Sequence, residues 1–128
     1  MAWGADRSPD TFMARTTAAM APVDRTPMGR PEVAAAYIAA VRECFRSGPR
    51  GGQVDAALMA SAWQFDPTRI GIPVHIWHGE QDMDAPAAMG RWLARTVPTS
   101  RARFFPDEGH ISLIVNHAEE ILRSLVEQ

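Results

Sequence analysis

Two short segments carry the residues of this chain that could do acid–base chemistry. HGEQDMDAP contains Asp82 and Asp84, and PDEGHISL contains Asp107, Glu108 and His110. A carboxylate that hydrogen-bonds one ring nitrogen of a histidine fixes its tautomer and stabilises its protonated form, which leaves the other nitrogen to act as a general base. Such a pair is two thirds of a nucleophilic triad. The chemistry therefore depends on whether the fold brings an aspartate of the first segment to His110.

The elements that must position these segments follow from the apolar pattern. PVHIWHG at 73–79 and RARFF at 101–105 are typical of strands, and the stretch from Pro86 to Val97 has helical spacing. Together they predict a right-handed βαβ unit with parallel strands, whose carboxyl ends lie at one edge of the sheet. The first segment would then lie beside His110. A last helix would follow, with one apolar side formed by Ile114, Ala118, Ile121, Leu122 and Leu125.

Residues 1–62 predict helices. Ser8-Pro9-Asp10 is a helix-start signal for a helix over about 9–20, and a third short helix is expected over about 53–61. Between them, apolar residues at helical spacing predict a helix with one buried face, which ends at SGPRGG. That face consists of Val33, Ala36, Tyr37, Ala40, Val41, Cys44 and Phe45. We expect Cys44, the single cysteine, to be a small apolar core residue rather than a reactive thiol.

Composition excludes several classes of function. A chain of 128 residues, 46% hydrophobic with a net charge of −2, suits one soluble domain and gives no electrostatic reason for a nucleic-acid or anionic-membrane partner. No apolar run approaches the roughly 20 residues of a membrane helix, and the first residues lack the order of a signal peptide. We therefore expect a cytoplasmic protein with no membrane partner.

The histidines other than His110 do not predict a metal site. His75 and His78 lie three apart on a strand, so they point to opposite faces and cannot chelate one ion. Packing and strand-end hydrogen bonding are their expected roles, as for His117 on the surface of the last helix. The sequence predicts neither a metal nor another cofactor.

The second half of the chain resembles the C-terminal part of the α/β-hydrolase superfamily. The resemblance rests on Trp63 with FDPTRIGIPV, the turn at 79–82, Pro86, VP at 97–98 and Gly109-His110. It implies an α/β protein with a partial α/β-hydrolase fold: a helical, cap-like segment at 1–62 and a parallel βαβα part of the core at 63–128. The family's chain order of nucleophile, acid and histidine makes Asp82 the triad acid and His110 the base.

The two aspartates of the first segment have different predicted roles. Asp84 stands two residues ahead of Pro86 and is expected to cap the following helix, where a carboxylate suits the positive end of the helix dipole. Asp82 directly follows the glycine turn, at the position of the family's acid. The sequence thus assigns chemistry to Asp82 and structure to Asp84.

The third member of the triad is not recognisable. The family presents its nucleophile on a G-x-S-x-G turn, and none of the six serines has glycine at both minus two and plus two. Ser112 is near His110 but is expected to cap the last helix. We expect the chain to be a natural truncation or a fragment of a hydrolase. The complete enzyme would act on a small-molecule ester, lactone or amide, and the chain alone would have little activity.

Two further interpretations stay open. Parallel strands are normally buried in a larger sheet, and two strands with unpaired edges make a poor domain by themselves. The chain could therefore be a non-catalytic helical interaction module on a truncated hydrolase scaffold, completed by another chain or by a second copy in a homo-oligomer. Alternatively, a separate polypeptide could supply the nucleophile. The substrate, and whether the nucleophile is Ser, Asp or Cys, are left open by the sequence.

Overall fold

A computed structural model describes residues 8–126 of the chain. Residues 1–7 of the predicted cap-like segment and residues 127–128 of the predicted core part lie outside this range. The elements in chain order are α1 (Pro9–Ala19), α2 (Pro22–Met28), α3 (Pro31–Cys44), α4 (Arg50–Met59), a 3₁₀ helix (Pro67–Arg69), β1 (Val74–Gly79), α5 (Ala87–Thr96), β2 (Ser100–Phe105) and α6 (His110–Val126). Helices combined with a parallel sheet make this an α/β structure.

The sheet consists of β1 and β2, which run parallel and are joined by α5 as the crossover helix. The pairing runs from Val74 opposite Ser100 to Gly79 opposite Phe105, so the two strands end side by side. The predicted βαβ unit is therefore confirmed. In residues 8–126 no third strand joins the sheet. The carboxyl ends of the two strands place the next two loops at one edge.

Alternate strand residues contact different helices. His78 and Phe104 lie against α5, where the guanidinium of Arg91 sits 4.3 Å from the Phe104 ring centre. Trp77 stacks on Phe105, and the Phe105 ring in turn contacts His117 of α6. Because successive strand side chains point to opposite faces, α5 and α6 cover opposite faces of the sheet.

The described residues group into two compact units. One comprises residues 8–19 and 29–65, and the other comprises residues 20–28 and 66–126. Helix α2, which the sequence analysis did not predict, thus belongs with the sheet although it lies near the N-terminus. Two prolines within its seven residues, Pro22 and Pro27, favour reading this stretch as a loop. The predicted boundary between residues 62 and 63 stays a prediction.

The core of the second unit is small. Its buried apolar side chains are Ala21, Pro27 and Met28 from the α2 region, Val97 after α5 and Leu113 in α6. Asp24 and Ser112 are buried polar residues in the same unit. Helix α2 packs against α6, and α6 packs against β1. The start of α6 is therefore enclosed between a short N-terminal helix and the sheet.

Two helix faces differ from the predicted ones. In α6 the buried residues are Ser112 and Leu113, whereas the predicted stripe is largely exposed, with Ile114 at 56%, Leu122 at 64% and Leu125 at 59%. Spacing reveals that a face is apolar but not what covers it. None of the helices within residues 8–126 has both the length and the apolar character needed to cross a membrane.

Helix α3 is rotated relative to the predicted face. Val33, Tyr37 and Val41 are half-buried as predicted, but Ile38 takes a half-buried position that the pattern did not assign. Cys44 is exposed at the last position of the helix, so its predicted place in a helix core is wrong. The helix turns Ile38 and Ala34 inward and the predicted Ala36 and Ala40 outward, and burying the larger Ile38 side chain removes more apolar surface from water.

Candidate active site

Backbone hydrogen bonds tie the two loops after β1 and β2 together. The N–H of Glu80 donates to the carbonyl of Phe105, and the N–H of Gln81 donates to the carbonyl of Glu108, both at 2.9 Å. Gly79 permits this approach, because a Cβ there would overlap the carbonyl oxygens of Glu108 and Gly109. The loops that carry Asp82 and His110 are thus held against each other by main-chain hydrogen bonds, to which the Gln81 side chain adds a bond from Nε2 to the carbonyl of Pro106 at 3.0 Å.

The structure brings Asp82 and His110 together. The distance from Nδ1 of His110 to Oδ2 of Asp82 is 2.9 Å. An ionised carboxylate only accepts hydrogen bonds, so the proton lies on Nδ1 and the neutral ring keeps Nε2 as its acceptor nitrogen. The Asp82 side chain is 6% exposed and that of His110 is 43% exposed. This pair has the arrangement of an orienting acid and a general base.

The Asp82 carboxylate is fully engaged. Its burial acts to raise the pKa, but hydrogen bonds from the N–H of Ala85, from the His110 ring and from the N–H of Asp84 hold the pKa below its ordinary value of 3.8. Oδ1 accepts the two backbone bonds, at 2.7 Å from Ala85 and 2.8 Å from Asp84. Asp82 is therefore ionised at neutral pH, with one oxygen on its own loop and the other on His110.

The predicted cap role of Asp84 is wrong. Helix α5 begins at Ala87 with Pro86 in the N-cap position, and no side chain of the described residues makes a capping bond there. The extended conformation of Pro86 separates Asp84 from the first helical N–H groups. Asp84 instead has an exposed side chain and gives its own N–H to Asp82.

A buried carboxylate from the other end of the chain holds the backbone at His110. Asp24 of α2 accepts hydrogen bonds from the N–H groups of His110, Ile111 and Ser112, at 3.1, 2.9 and 2.8 Å. The contact between Asp24 and His110 is not predicted from the sequence, because 86 positions separate the two residues. The local sequence gives one indication that a distant group caps α6: the helix begins directly after Gly109, which has no side chain that could cap it.

Ser112 caps the start of α6, as predicted. Its Oγ accepts the N–H of Gly109 at 2.7 Å, and the residue is 1% exposed. The hydroxyls of Ser61, Ser100 and Ser124, by contrast, donate to backbone carbonyls near them. Within residues 8–126, no hydrogen bond reaches Nε2 of His110. The nitrogen that would take a proton is free for another group.

His78 supports the Asp82 loop from the strand end. Its Nε2 lies 2.9 Å from the carbonyl oxygen of Ala85 and 4.0 Å from Oδ2 of Asp82. An N–H on this nitrogen would donate to Ala85, which is the strand-end hydrogen bonding expected for this residue. His75 differs, since its Nε2 is buried and has no hydrogen-bond partner within the described chain.

A second histidine–carboxylate cluster lies further along α6. Nε2 of His117 is 3.1 Å from Glu108, and the amide of Asn116 donates to the same carboxylate at 3.2 Å. Burial acts to raise the pKa of Glu108, but hydrogen bonds from Ser112, Asn116 and His117 hold it below the ordinary value. The His117 side chain is 24% exposed, so it is more buried than expected for a surface position.

Three potential metal ligands, on Asp82, Asp84 and His110, lie within 4.8 Å of one another. Two of them are already joined by the 2.9 Å bond between Nδ1 and Oδ2. The remaining oxygen of Asp82 accepts two backbone N–H groups. With these atoms engaged, the arrangement fits an acid–base pair better than a metal centre.

Part of the chain is similar to a curated enzyme. It shares 32% identity over 59 residues with the pimeloyl-[acyl-carrier protein] methyl ester esterase of Chromobacterium violaceum. The match covers 46% of this chain and 23% of the esterase, so the aligned part spans about a quarter of that relative's length. No family model matches the chain. No solved structure matches it either.

Proposed function

We propose that this chain carries the acid and the base of a hydrolase of the α/β-hydrolase superfamily. The observation that carries the proposal is the 2.9 Å hydrogen bond between Asp82 and Nδ1 of His110, made at the adjacent ends of two parallel strands. The partly exposed His110 ring and the unbonded Nε2 support a role in proton transfer. Similarity to a pimeloyl-[acyl-carrier protein] methyl ester esterase supports a carboxylic ester as the bond that is cleaved. A small-molecule ester is the substrate class that we propose.

In the proposed mechanism Nε2 of His110 takes the proton of a nucleophile as that group attacks the ester carbonyl. Asp82 keeps the ring in the required tautomer and stabilises the imidazolium that forms. The imidazolium then returns the proton to the leaving alcohol, and a second cycle with water releases the acid. In these steps the nucleophile is a serine hydroxyl or a cysteine thiol, and it and the oxyanion hole come from outside residues 8–126. An aspartate nucleophile would attack as an ionised carboxylate with no proton to remove, so His110 would then act only on the water of the second step. The isolated chain accordingly has negligible esterase activity.

A chimera tests the proposed function. Residues 20–126, which include both Asp24 and the Asp82–His110 pair, replace the equivalent segment of the Chromobacterium violaceum esterase, and hydrolysis of a methyl ester is measured. The expected result is an active chimera that loses roughly 10³-fold or more in kcat on His110→Ala, since the members of a triad act as a unit. His117→Ala is the matched control, because this histidine binds Glu108 rather than Asp82. An active chimera that is indifferent to His110→Ala would exclude the proposed base.

The isolated chain provides a second test. With p-nitrophenyl acetate as substrate, we expect no turnover beyond that of an exposed imidazole. Turnover by the 128 residues that clearly exceeds that of free imidazole and that His110→Ala abolishes would contradict the proposal that the nucleophile comes from elsewhere.

One observation favours a second function, as a non-catalytic interaction module. The apolar stripe of α6 is exposed at Ile114, Leu122 and Leu125, and the sheet has two strands within the described chain. A second copy or another chain that covered this stripe would remove it from water. Sedimentation equilibrium separates the two functions: self-association abolished by Leu122→Glu supports the module, and a monomer with sharp thermal unfolding contradicts it.

A further inference from the structure

Helix α6 begins at the residue that would act as the base. The first N–H groups of any α-helix have no partner within the helix and are normally satisfied by a side chain directly before it. Here the preceding residue is Gly109, which has no side chain. Asp24 of α2 takes its place by accepting the first three N–H groups with both carboxylate oxygens.

The contact between Asp24 and α6 leaves no space for other groups. Asp24 is 2% exposed, and a Cβ at Gly109 would lie 2.5 and 2.6 Å from the two carboxylate oxygens. A buried carboxylate is strongly destabilising unless it is hydrogen-bonded and compensated electrostatically. The three N–H groups and the positive end of the helix dipole supply that compensation. Helix α2 is thereby fixed to the start of α6.

His110 is consequently held at two points. Oδ2 of Asp24 binds its backbone N–H at 3.1 Å, and Oδ2 of Asp82 binds its ring at 2.9 Å. The backbone contact sets where the Cα–Cβ bond points, and the ring contact sets the rotation of the imidazole. Both are needed to present Nε2 in one direction, because a catalytic group must be held close to its productive geometry.

We infer that Asp24 is a positioning residue for His110: it anchors the backbone of the base so that the ring can bind Asp82. This inference rests on the proposed function of the Asp82–His110 pair. Asp24 acts through His110 and does not itself meet the substrate. A helix cap with a purely structural role would stabilise α6 without affecting the hydrogen bond of the ring, so the two roles predict different behaviour of the His110 side chain.

Asp24→Asn separates these roles because it keeps the side chain's volume and replaces one oxygen with an NH₂ group. Oδ1 accepts two hydrogen bonds and Oδ2 accepts one, so we expect the asparagine oxygen to take the Oδ1 position. The NH₂ group then opposes the N–H of His110 and displaces it. Ser112→Ala is the matched control: it removes the bonds of the Ser112 hydroxyl with the N–H of Gly109 and with Glu108, and leaves Asp24 in contact with His110.

NMR of the full chain labelled with ¹⁵N-histidine provides the measurement. The Nδ1–H proton of His110 should give a downfield resonance that exchanges slowly with water. We expect Asp24→Asn to accelerate its exchange by about tenfold or more, the effect of losing one charge-assisted hydrogen bond. Ser112→Ala should lower the unfolding temperature and leave the resonance in place. If the exchange rate of the Nδ1 proton rises in both variants in proportion to their loss of stability, Asp24 is only a helix cap and the inference is wrong.

Failure of the inference can be distinguished from failure of the proposed function. If the unaltered chain gives no slowly exchanging Nδ1–H signal, the Asp82–His110 pair does not form and both proposals are wrong. If the signal is present and survives Asp24→Asn, the positioning role alone is wrong. Should the variant not fold, native-state hydrogen exchange of the unaltered chain decides. The Nδ1 proton of His110 must then exchange with water through the same opening of the structure as the amide protons of Ile111 and Ser112. Exchange of the ring proton that is independent of these amides overturns the inference.

Discussion

The two compact units of this chain differ in how much they bury. Every buried residue in the described part of the chain lies in the unit formed by residues 20–28 and 66–126. Helices α1, α3 and α4 of the other unit contain no buried residue within their described lengths. Amphipathic spacing is therefore sufficient to make helices in both units, but close packing occurs in the one that carries Asp82 and His110.

The two units also differ in how closely their side chains are held in position. Two carboxylates hold the candidate base: Asp24 accepts the backbone N–H of His110, and Asp82 binds its ring. Gly109, directly before His110, lies so close to the Asp24 carboxylate that no side chain would fit there. Helices α1 and α3 of the first unit have half-buried faces, and α4 is exposed along its whole length. Matched substitutions in the two units should consequently have unequal effects on stability.

The largest difference is expected between two Gly→Ala substitutions. Gly79→Ala places a methyl group against the carbonyl oxygens of Glu108 and Gly109, which are backbone atoms that cannot move aside separately. We expect a loss of about 4 kcal/mol or more in the free energy of unfolding. Gly51→Ala in α4 meets no atom within 4 Å and should stabilise its helix by about 0.5–1 kcal/mol. Urea unfolding measures both, and effects of the same sign would contradict the comparison.

A Leu→Ala pair should give the next largest difference. Leu113 in α6 is 6% exposed, and its truncation should lower the free energy of unfolding by about 3 kcal/mol through lost burial and a residual cavity. Leu58 in α4 is 63% exposed, and Leu58→Ala should change stability by no more than about 0.5 kcal/mol. Thermal unfolding monitored by circular dichroism compares them. Similar losses for both would mean that the first unit has a core as well.

The pH dependence of stability tests the Asp82 carboxylate. Its folded-state pKa lies below the ordinary value of 3.8, so the unfolded chain takes up a proton first as the pH falls. The stabilising contribution is complete well above pH 3.8 and is lost as the pH falls through the folded-state pKa. Asp82→Asn should therefore lower stability by about 2 kcal/mol at neutral pH and by progressively less in acid.

Asp55→Asn is the control for this measurement. It removes the same charge from an exposed position in α4 and should change the free energy of unfolding little at neutral pH. A difference between Asp82→Asn and the unaltered chain that does not shrink in acid would show that the carboxylate is not what stabilises this loop.

The smallest expected effect concerns two glutamates. Glu108 is 14% exposed and binds Asn116 and His117, so Glu108→Gln should destabilise by about 1 kcal/mol. Glu43 of α3 forms an ion pair with Arg46 at 71% exposure, where solvent screens the interaction, and Glu43→Gln should have almost no effect. Raising the salt concentration should leave the difference between the two variants intact. A salt-sensitive difference would place Glu108 among the screened surface charges.

Local pattern predicted the elements of the packed unit well. The short apolar run at 73–79, the helical spacing after Pro86 and the short run at 101–105 predicted the parallel βαβ unit, because right-handed crossovers leave one topology for such a sequence. The same topology predicted that the loop of Asp82 would meet that of His110, and the two side chains do meet. Their catalytic role stays a prediction.

Other features depended on contacts that spacing does not encode. Asp84 was predicted to cap α5, but the conformation of Pro86 places the helix start beyond its reach. In α6 the predicted apolar side includes Leu122 and Leu125, which are exposed, whereas the neighbouring face that carries Leu113 packs inward. A hydrophobic pattern identifies surfaces that favour burial, and only the arrangement of the other elements decides which of them is buried.

The sequence by itself determined the order of the helices and strands from β1 to α6 and the residue types available at the strand ends. Both follow from local periodicity and from the distance of 28 residues between Asp82 and His110. The tertiary structure alone decided that Asp24 caps the helix of His110 and that Gly79 and Gly109 must lack side chains. Those are close approaches between residues far apart in the chain, and no local pattern fixes them.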